Sequence, residues 1–136
     1  MEINYLAILV CGILAMIVGF VWYGPLFGKK WLEVVGATAL DLEKRKEMQK
    51  KAMPLYVTQF ILVLFQVWVL AYFLQSAASS FISALWIWAG FVIPTVAGSC
   101  MWNNDSSKVK WTKFFIEGGY YLVLFVIFGL VLGMWQ

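Results

Sequence analysis

The chain reads as an all-α integral membrane protein. It is expected to be a bundle of four transmembrane helices, with a kinked third helix and a short cytoplasmic helix between the first and second. Three observations predict this. Of 136 residues, 63% are hydrophobic and only 12% are charged, whereas a soluble domain carries about 25% charged residues. The apolar residues gather into four runs of roughly 20, the length of helix that crosses a hydrocarbon core of about 30 Å. All ten Lys and Arg residues lie in two of the connections between these runs, and in a four-span chain both connections fall on one side. The whole chain, 1–136, is expected to be a single transmembrane domain.

The first span is expected over 3–23. Its leading flank carries Glu2 and no basic residue, and Lys29 and Lys30 follow it. The run also exceeds the apolar core of a secretory signal, about 7–15 residues. A retained span is therefore expected. Ala7, Cys11, Ala15 and Gly19 recur every four residues, a stripe of small side chains where another helix can approach closely. That helix can belong to the same subunit or to a second one.

The connection 24–54 begins as a re-entrant turn. Trp22 and Tyr23 anchor at headgroup depth, and Gly24 and Pro25 end the helix. Phe27 and Trp31 hold the reversed chain against the membrane, with Lys29 and Lys30 in the phosphate layer. The segment is either structural or a site for lipid headgroups. Thr38 and Asp41 are candidate helix caps. The run 42–52 is rich in helix formers, and Glu47 can pair with Lys50 or Lys51. It reads as a short exposed helix leading to Pro54, placed in the first turn of the second span. Lys44, Arg45, Lys46, Lys50 and Lys51 either contact anionic lipid headgroups, at about 1 kcal/mol each near the surface, or are solvated determinants of topology.

The second span is expected over 55–74. Gln59 and Gln66 are seven residues apart and so share a face. They form interhelical hydrogen bonds, worth about 0.6–2 kcal/mol each, or line a polar path. The third span, 82–102, carries Pro94 beside Thr95 and between Gly90 and Gly98. Proline removes a backbone donor and kinks a helix. Thr95 or Ser99 is expected to satisfy the freed carbonyls. The kink is read as a static shape, with a hinge or a site on opened backbone as the alternative.

A second basic connection, 103–113, carries Lys108, Lys110 and Lys113. The fourth span, 114–135, holds Glu117, the one acidic residue placed inside a span. An intramembrane carboxylate is a functional candidate. Lys113, one turn earlier, is its expected ion-pair partner; a proton or cation site is the other reading. Gly129 and Gly133 end this span as a second close-packing ridge.

The segregation of basic residues places both basic connections in the cytoplasm and both termini outside it. The expected location is the cell membrane, spanned several times. Trp22, Tyr23, Trp31, Tyr56, Trp102 and Trp111 gather at one boundary, and Tyr5, Tyr72, Trp86, Trp88 and Trp135 lie toward the other. This is the interfacial preference of amphipathic rings.

The chain has no histidine, which removes Ser-His-Asp and Cys-His nucleophiles and histidine-held metals. Cys11 and Cys100 match no paired metal or redox spacing. No catalytic residue, metal or cofactor is therefore expected, and no nucleic-acid partner. Two functional classes remain. One acts through helix packing, homo-oligomerisation and contacts with membrane lipids. The other is a small oligomeric transporter or channel for an ion or small solute, which would draw on Gln59, Gln66, Pro94, Thr95, Ser99 and Glu117.

Three blocks carry a resemblance to a known family. They are Trp22-Tyr23-Gly24-Pro25-Leu26-Phe27-Gly28-Lys29-Lys30-Trp31, then Gly90-Phe91-Val92-Ile93-Pro94-Thr95, then Trp111 with Lys113-Phe114-Phe115-Ile116, Gly119-Tyr120 and Leu132-Gly133-Met134-Trp135. In order and over nearly the whole chain they resemble the domain of unknown function 1761 family. The resemblance implies a small four-helix membrane protein of a mainly bacterial group without an assigned activity. It also implies a neutral polar residue in relatives where this chain has Glu117, so Glu117 is not expected to perform a family-wide task.

Overall fold

The computed structural model describes residues 2–34 and 42–135. Thr38 and Asp41 lie outside the described residues, as does the side chain of Arg45. The described residues are all helix and short connection, with no strand. Four helices are long and apolar enough to cross a membrane: Tyr5–Leu26, Lys46–Leu74, Ser80–Met101 and Ser107–Trp135.

Helix α1 spans Tyr5–Val21 and is capped by Asn4, whose side chain accepts from the Ala7 amide at 3.2 Å. The helix does not stop at Gly24 and Pro25. It continues as a π-helical turn, Trp22–Leu26, because the Phe27 amide reaches back five residues to the Trp22 carbonyl at 2.9 Å. The wider hydrogen bond steps over the donor that Pro25 lacks. Phe27 then redirects the chain, and α2 (Gly28–Val34) begins at once. The return is tight: a Cβ on Gly28 would lie 3.1 Å from the Tyr23 carbonyl oxygen.

Helix α3 is one element, Leu42–Leu74. The separate short helix expected over 42–52 is instead its first three turns, and the short helix between the spans is α2. Pro54 lies inside α3 rather than at its start. It deprives only the Lys50 carbonyl of a donor, and this part of the helix is exposed, where water can replace the lost bond. The Thr58 hydroxyl donates to the Pro54 carbonyl at 3.0 Å.

The third spanning segment has three parts. Helix α4 (Ser80–Ile87) is capped by Ser79, which accepts from the Ile82 amide at 3.3 Å. A π-helical turn, Trp88–Val92, follows, with the Ile93 amide donating to the Trp88 carbonyl. Helix α5 (Ile93–Met101) carries Pro94 in its first turn. Thr95 donates to the Phe91 carbonyl at 2.6 Å and Ser99 to the Val96 carbonyl at 2.9 Å. Neither hydroxyl therefore reaches the carbonyls of Ala89 or Gly90, which lie five and four residues before Pro94.

Helix α6 runs from Ser107 to Trp135, so the connection expected over 103–113 shrinks to 102–106. Asn103 donates to the Cys100 carbonyl at 3.0 Å, and its own side-chain oxygen accepts from the Asp105 amide at 3.0 Å. Ser106 accepts from the Val109 amide at 3.4 Å, starting α6.

Helix α6 is the central element. It packs on α4, α1 and α5, while α3 packs on α1 and scarcely touches α4 or α6. The core is apolar, with Leu124, Phe128 and Leu132 of α6 and Val67 of α3 fully enclosed. Among the described residues no polar or charged side chain is fully buried. The outside is also apolar: Phe20, Trp86, Phe91 and Phe115 are 78%, 74%, 73% and 71% exposed. Large apolar groups facing outward over the spanning segments suit a hydrocarbon solvent rather than water.

Candidate functional site

The loose seating of α3 leaves a lateral cleft of about 700 Å³ between α3 and the third spanning segment, floored by α6. Its walls are apolar, among them Leu62, Phe65, Val69 and Phe73 of α3 and Phe91 and Val92 of the π turn. Its polar lining is Gln59 and Gln66 from α3 and Tyr121 from α6. Both glutamines are half-buried. Among the described residues neither amide hydrogen-bonds to another side chain or to the backbone. The interhelical bonding expected of them is thus absent in this arrangement.

The cleft leads toward a second polar group, at the end of the bundle that carries the basic connections. Glu117 is one turn before Tyr121 on α6. Its Oε2 accepts from the buried Cys100 thiol at 3.7 Å. Tyr23, Tyr121 and Lys113 also stand within electrostatic reach of it. Lys113 does not form the expected ion pair with Glu117. Its Nζ lies 2.9 Å from Oδ2 of Asp105, because the short connection 102–106 brings that carboxylate back over the first turns of α6.

Two indoles clamp this part of α6. Trp22 Nε1 donates to the Ile116 carbonyl at 2.9 Å, and Trp88 Nε1 to the Gly118 carbonyl at 3.2 Å. Gly118 and Gly119 make room for the approach: a Cβ on Gly119 would lie 3.1 Å from the Trp22 ring, and one on Gly118 would lie 3.2 Å from Ile93. Tyr23 packs edge-on against Tyr120, with ring centroids 5.4 Å apart, and against Trp31 at 4.9 Å. Phe27 covers Trp22 at 4.8 Å. The segment around Trp22 is therefore a clamp on α6 as well as a turn. Pro25, Lys29 and Lys30 remain on its exposed side, where Lys30 pairs with Glu33 at 3.6 Å.

The candidate polar residues divide into three groups. Gln59 and Gln66 share the cleft. Glu117 lies with Cys100 at the contact between α5 and α6. Pro94, Thr95 and Ser99 are exposed on the outer surface, with the Thr95 hydroxyl bonded to a carbonyl of the π turn and the Ser99 hydroxyl to one of α5. The small-residue ridges meet other elements of the same chain. Ala7, Cys11 and Ala15 are fully buried, and Gly19 lies under the Tyr120 hydroxyl. Gly129 meets Phe81 and Ala84, and Gly133 meets Ser80. Sequence reasoning missed Tyr121 and Gly12, whose Cβ would meet Leu64 of α3 at 2.6 Å, and it read Trp88 as a ring toward the boundary opposite Trp22, whereas both indoles bond to neighbouring carbonyls of α6. The adjacent Tyr120-Tyr121 pair, one turn beyond Glu117, was the available signal for the first.

Among the described residues, no group of three or more Cys, Asp or Glu side chains is placed to hold a metal ion. The quoted blocks around Trp22 and Gly119 thus meet at one end of the bundle, and the chain matches a family described as protein of unknown function, DUF1761, over residues 6–133. It belongs to the DUF1761 family. No curated protein and no solved structure matches the chain. Nearly the whole of this DUF1761 chain is covered, including the Trp22 clamp, the π turn before Pro94 and both sides of the cleft.

Proposed function

We propose that this protein sits in the cell membrane with its basic end in the cytoplasm and both termini on the other side, and that it binds a lipid-like molecule which enters sideways from the bilayer. The observation that carries this reading is the lateral cleft. Its volume of about 700 Å³ falls in the range of small-molecule sites, about 300–1,000 Å³. Its mouth is formed by outward-facing apolar side chains, so an apolar ligand reaches it without crossing water. A few polar groups on an apolar wall are what fix the orientation of such a ligand. The fully apolar core offers no comparable support for an aqueous path through one subunit.

The test is native mass spectrometry of protein purified in mild detergent, comparing wild type with Val69→Trp. Val69 lines the cleft and is half-buried, so the indole fills the space. Wild type should retain a bound apolar molecule that the variant loses, with helical circular dichroism unchanged. Equal retention by the two proteins, or no retained molecule in wild type after reconstitution with membrane lipid extract, would reject the reading.

A further inference from the structure

Resting on that reading, we infer that the ligand of the cleft is uncharged. It carries hydroxyl or carbonyl oxygens that lie inside the cleft at the level of Gln59 and Gln66, as a neutral acylglycerol does, and it is not an anionic phospholipid.

The shape decides first between a chain and a helix. From Gln59 to Phe73 the cleft follows 15 residues of α3, whose 14 steps cover about 21 Å at about 1.5 Å per residue. A volume of about 700 Å³ over that length gives a cross-section of about 33 Å². A packed helix, about 10 Å across, needs about 80 Å². The space is therefore too narrow to take in a whole helix and wide enough for extended hydrocarbon.

Charge then decides the head. Among the described residues lining the cleft there is no Lys or Arg. The nearest charged side chain along its floor is Glu117, one turn from Tyr121. A phosphate placed here would lose its water without gaining a cation. Lys50 and Lys51 are exposed, and the nearer is eight residues before Gln59 on α3, about 12 Å along the helix. They lie outside the cleft. A phospholipid with its phosphate near these lysines would lay plain hydrocarbon beside Gln66, about 10 Å deeper than Gln59. The Gln66 amide, with donors and an acceptor, would then stay unpaired in a medium without water. A neutral molecule whose oxygens enter the cleft satisfies both amides and the Tyr121 hydroxyl.

The experiment uses diazirine-labelled diacylglycerol and the matching labelled phosphatidate, which differ by one phosphate. Each is photolysed with the full-length protein in phosphatidylcholine vesicles, and labelled peptides of α3 and of the segment 80–101 are counted. Diacylglycerol labelling should exceed phosphatidate labelling by about tenfold, the worth of one unmatched buried polar group. Gln66→Leu should bring the ratio close to one, and Gln59→Leu, a second variant should the first misfold, should lower it. Equal or stronger phosphatidate labelling in wild type would overturn the inference and leave the lipid-binding reading standing, as would a ratio that neither variant changes. Labelling of those peptides by neither lipid, or their cross-linking to a second copy, would remove both.

Discussion

Gly129 is where the proposed packing is most exposed to test. A Cβ built on it would lie 3.0 Å from the Ala84 Cβ, 3.0 Å from the Phe81 Cα and 3.3 Å from the Ser80 carbonyl oxygen. Two of these atoms are backbone, so no side chain can rotate away and α4 and α6 must separate. Such overpacking costs about 1–3 kcal/mol. Ala is also a better helix former than Gly by about 1 kcal/mol. Gly129→Ala should therefore destabilise by about 1 kcal/mol net, taking the middle of the overpacking range. Gly98 in α5 is the control, since a Cβ there meets nothing within 4 Å. Gly98→Ala should be stabilising by up to about 1 kcal/mol. The assay is reversible unfolding in mixed micelles by added dodecyl sulfate, followed by circular dichroism, with size exclusion on the same samples. A gap of about 2 kcal/mol between the variants is expected. If Gly129→Ala unfolds with Gly98→Ala while its oligomer falls apart, the ridge faces another subunit and the internal packing of α4 on α6 is wrong.

Two further outcomes follow from other parts of the bundle. Lys113→Gln and Asp105→Asn should each destabilise by no more than about 1 kcal/mol, because both side chains are partly solvated, and the double variant should cost less than their sum. The cycle of Lys113→Gln with Glu117→Gln in the same unfolding assay should show the smaller coupling; the reverse order would return Lys113 to Glu117. For orientation, a reporter active only outside the cytoplasm should function at either terminus, and activity of a cytoplasm-only reporter fused after the last residue would invert the proposed topology.

The four long helices were legible because hydrocarbon thickness fixes a length and the apolar runs display it. Helix ends set by proline were not. At Pro25 a five-residue hydrogen bond bypasses the missing donor, and at Pro54 exposure makes its loss cheap. The shared face of Gln59 and Gln66 follows from spacing alone within one regular helix. The direction of Pro94, Thr95 and Ser99 does not, because the π turn Trp88–Val92 inserts about one residue and rotates everything after it by about 100°. Those residues turn outward instead of toward the glutamines. The partner of Lys113 was hidden for another reason. It depends on how a five-residue connection, 102–106, folds back, and helical spacing carries no information about that. The cleft itself is a property of how helices lean on one another, which no single span encodes.

That leaning has a physical origin in where the polar stitches fall. Within lipid, apolar side chains gain little by meeting each other rather than acyl chains, so directional bonds and close backbone approach decide which helices hold together. The indoles of Trp22 and Trp88 tie the first and third spanning segments to carbonyls of α6, and Gly129 brings α4 onto the same helix. Among the described residues no hydrogen bond joins α3 to α4, α5 or α6. Its close approach is to α1, at Gly12 against Leu64 and Phe60. Three spanning segments thus form a stitched unit, and α3 is attached along one side only. A wall held on one edge leaves its other edge available to a molecule arriving from the bilayer, and Gln59 and Gln66 stand on that free side. Enlarging Gly12 presses on the attached edge. Gly12→Leu, too large for the ends of the Leu64 and Phe60 side chains to step aside from, should therefore tilt α3 and change labelling in the cleft while the Trp22 and Trp88 hydrogen bonds to α6 stay in place.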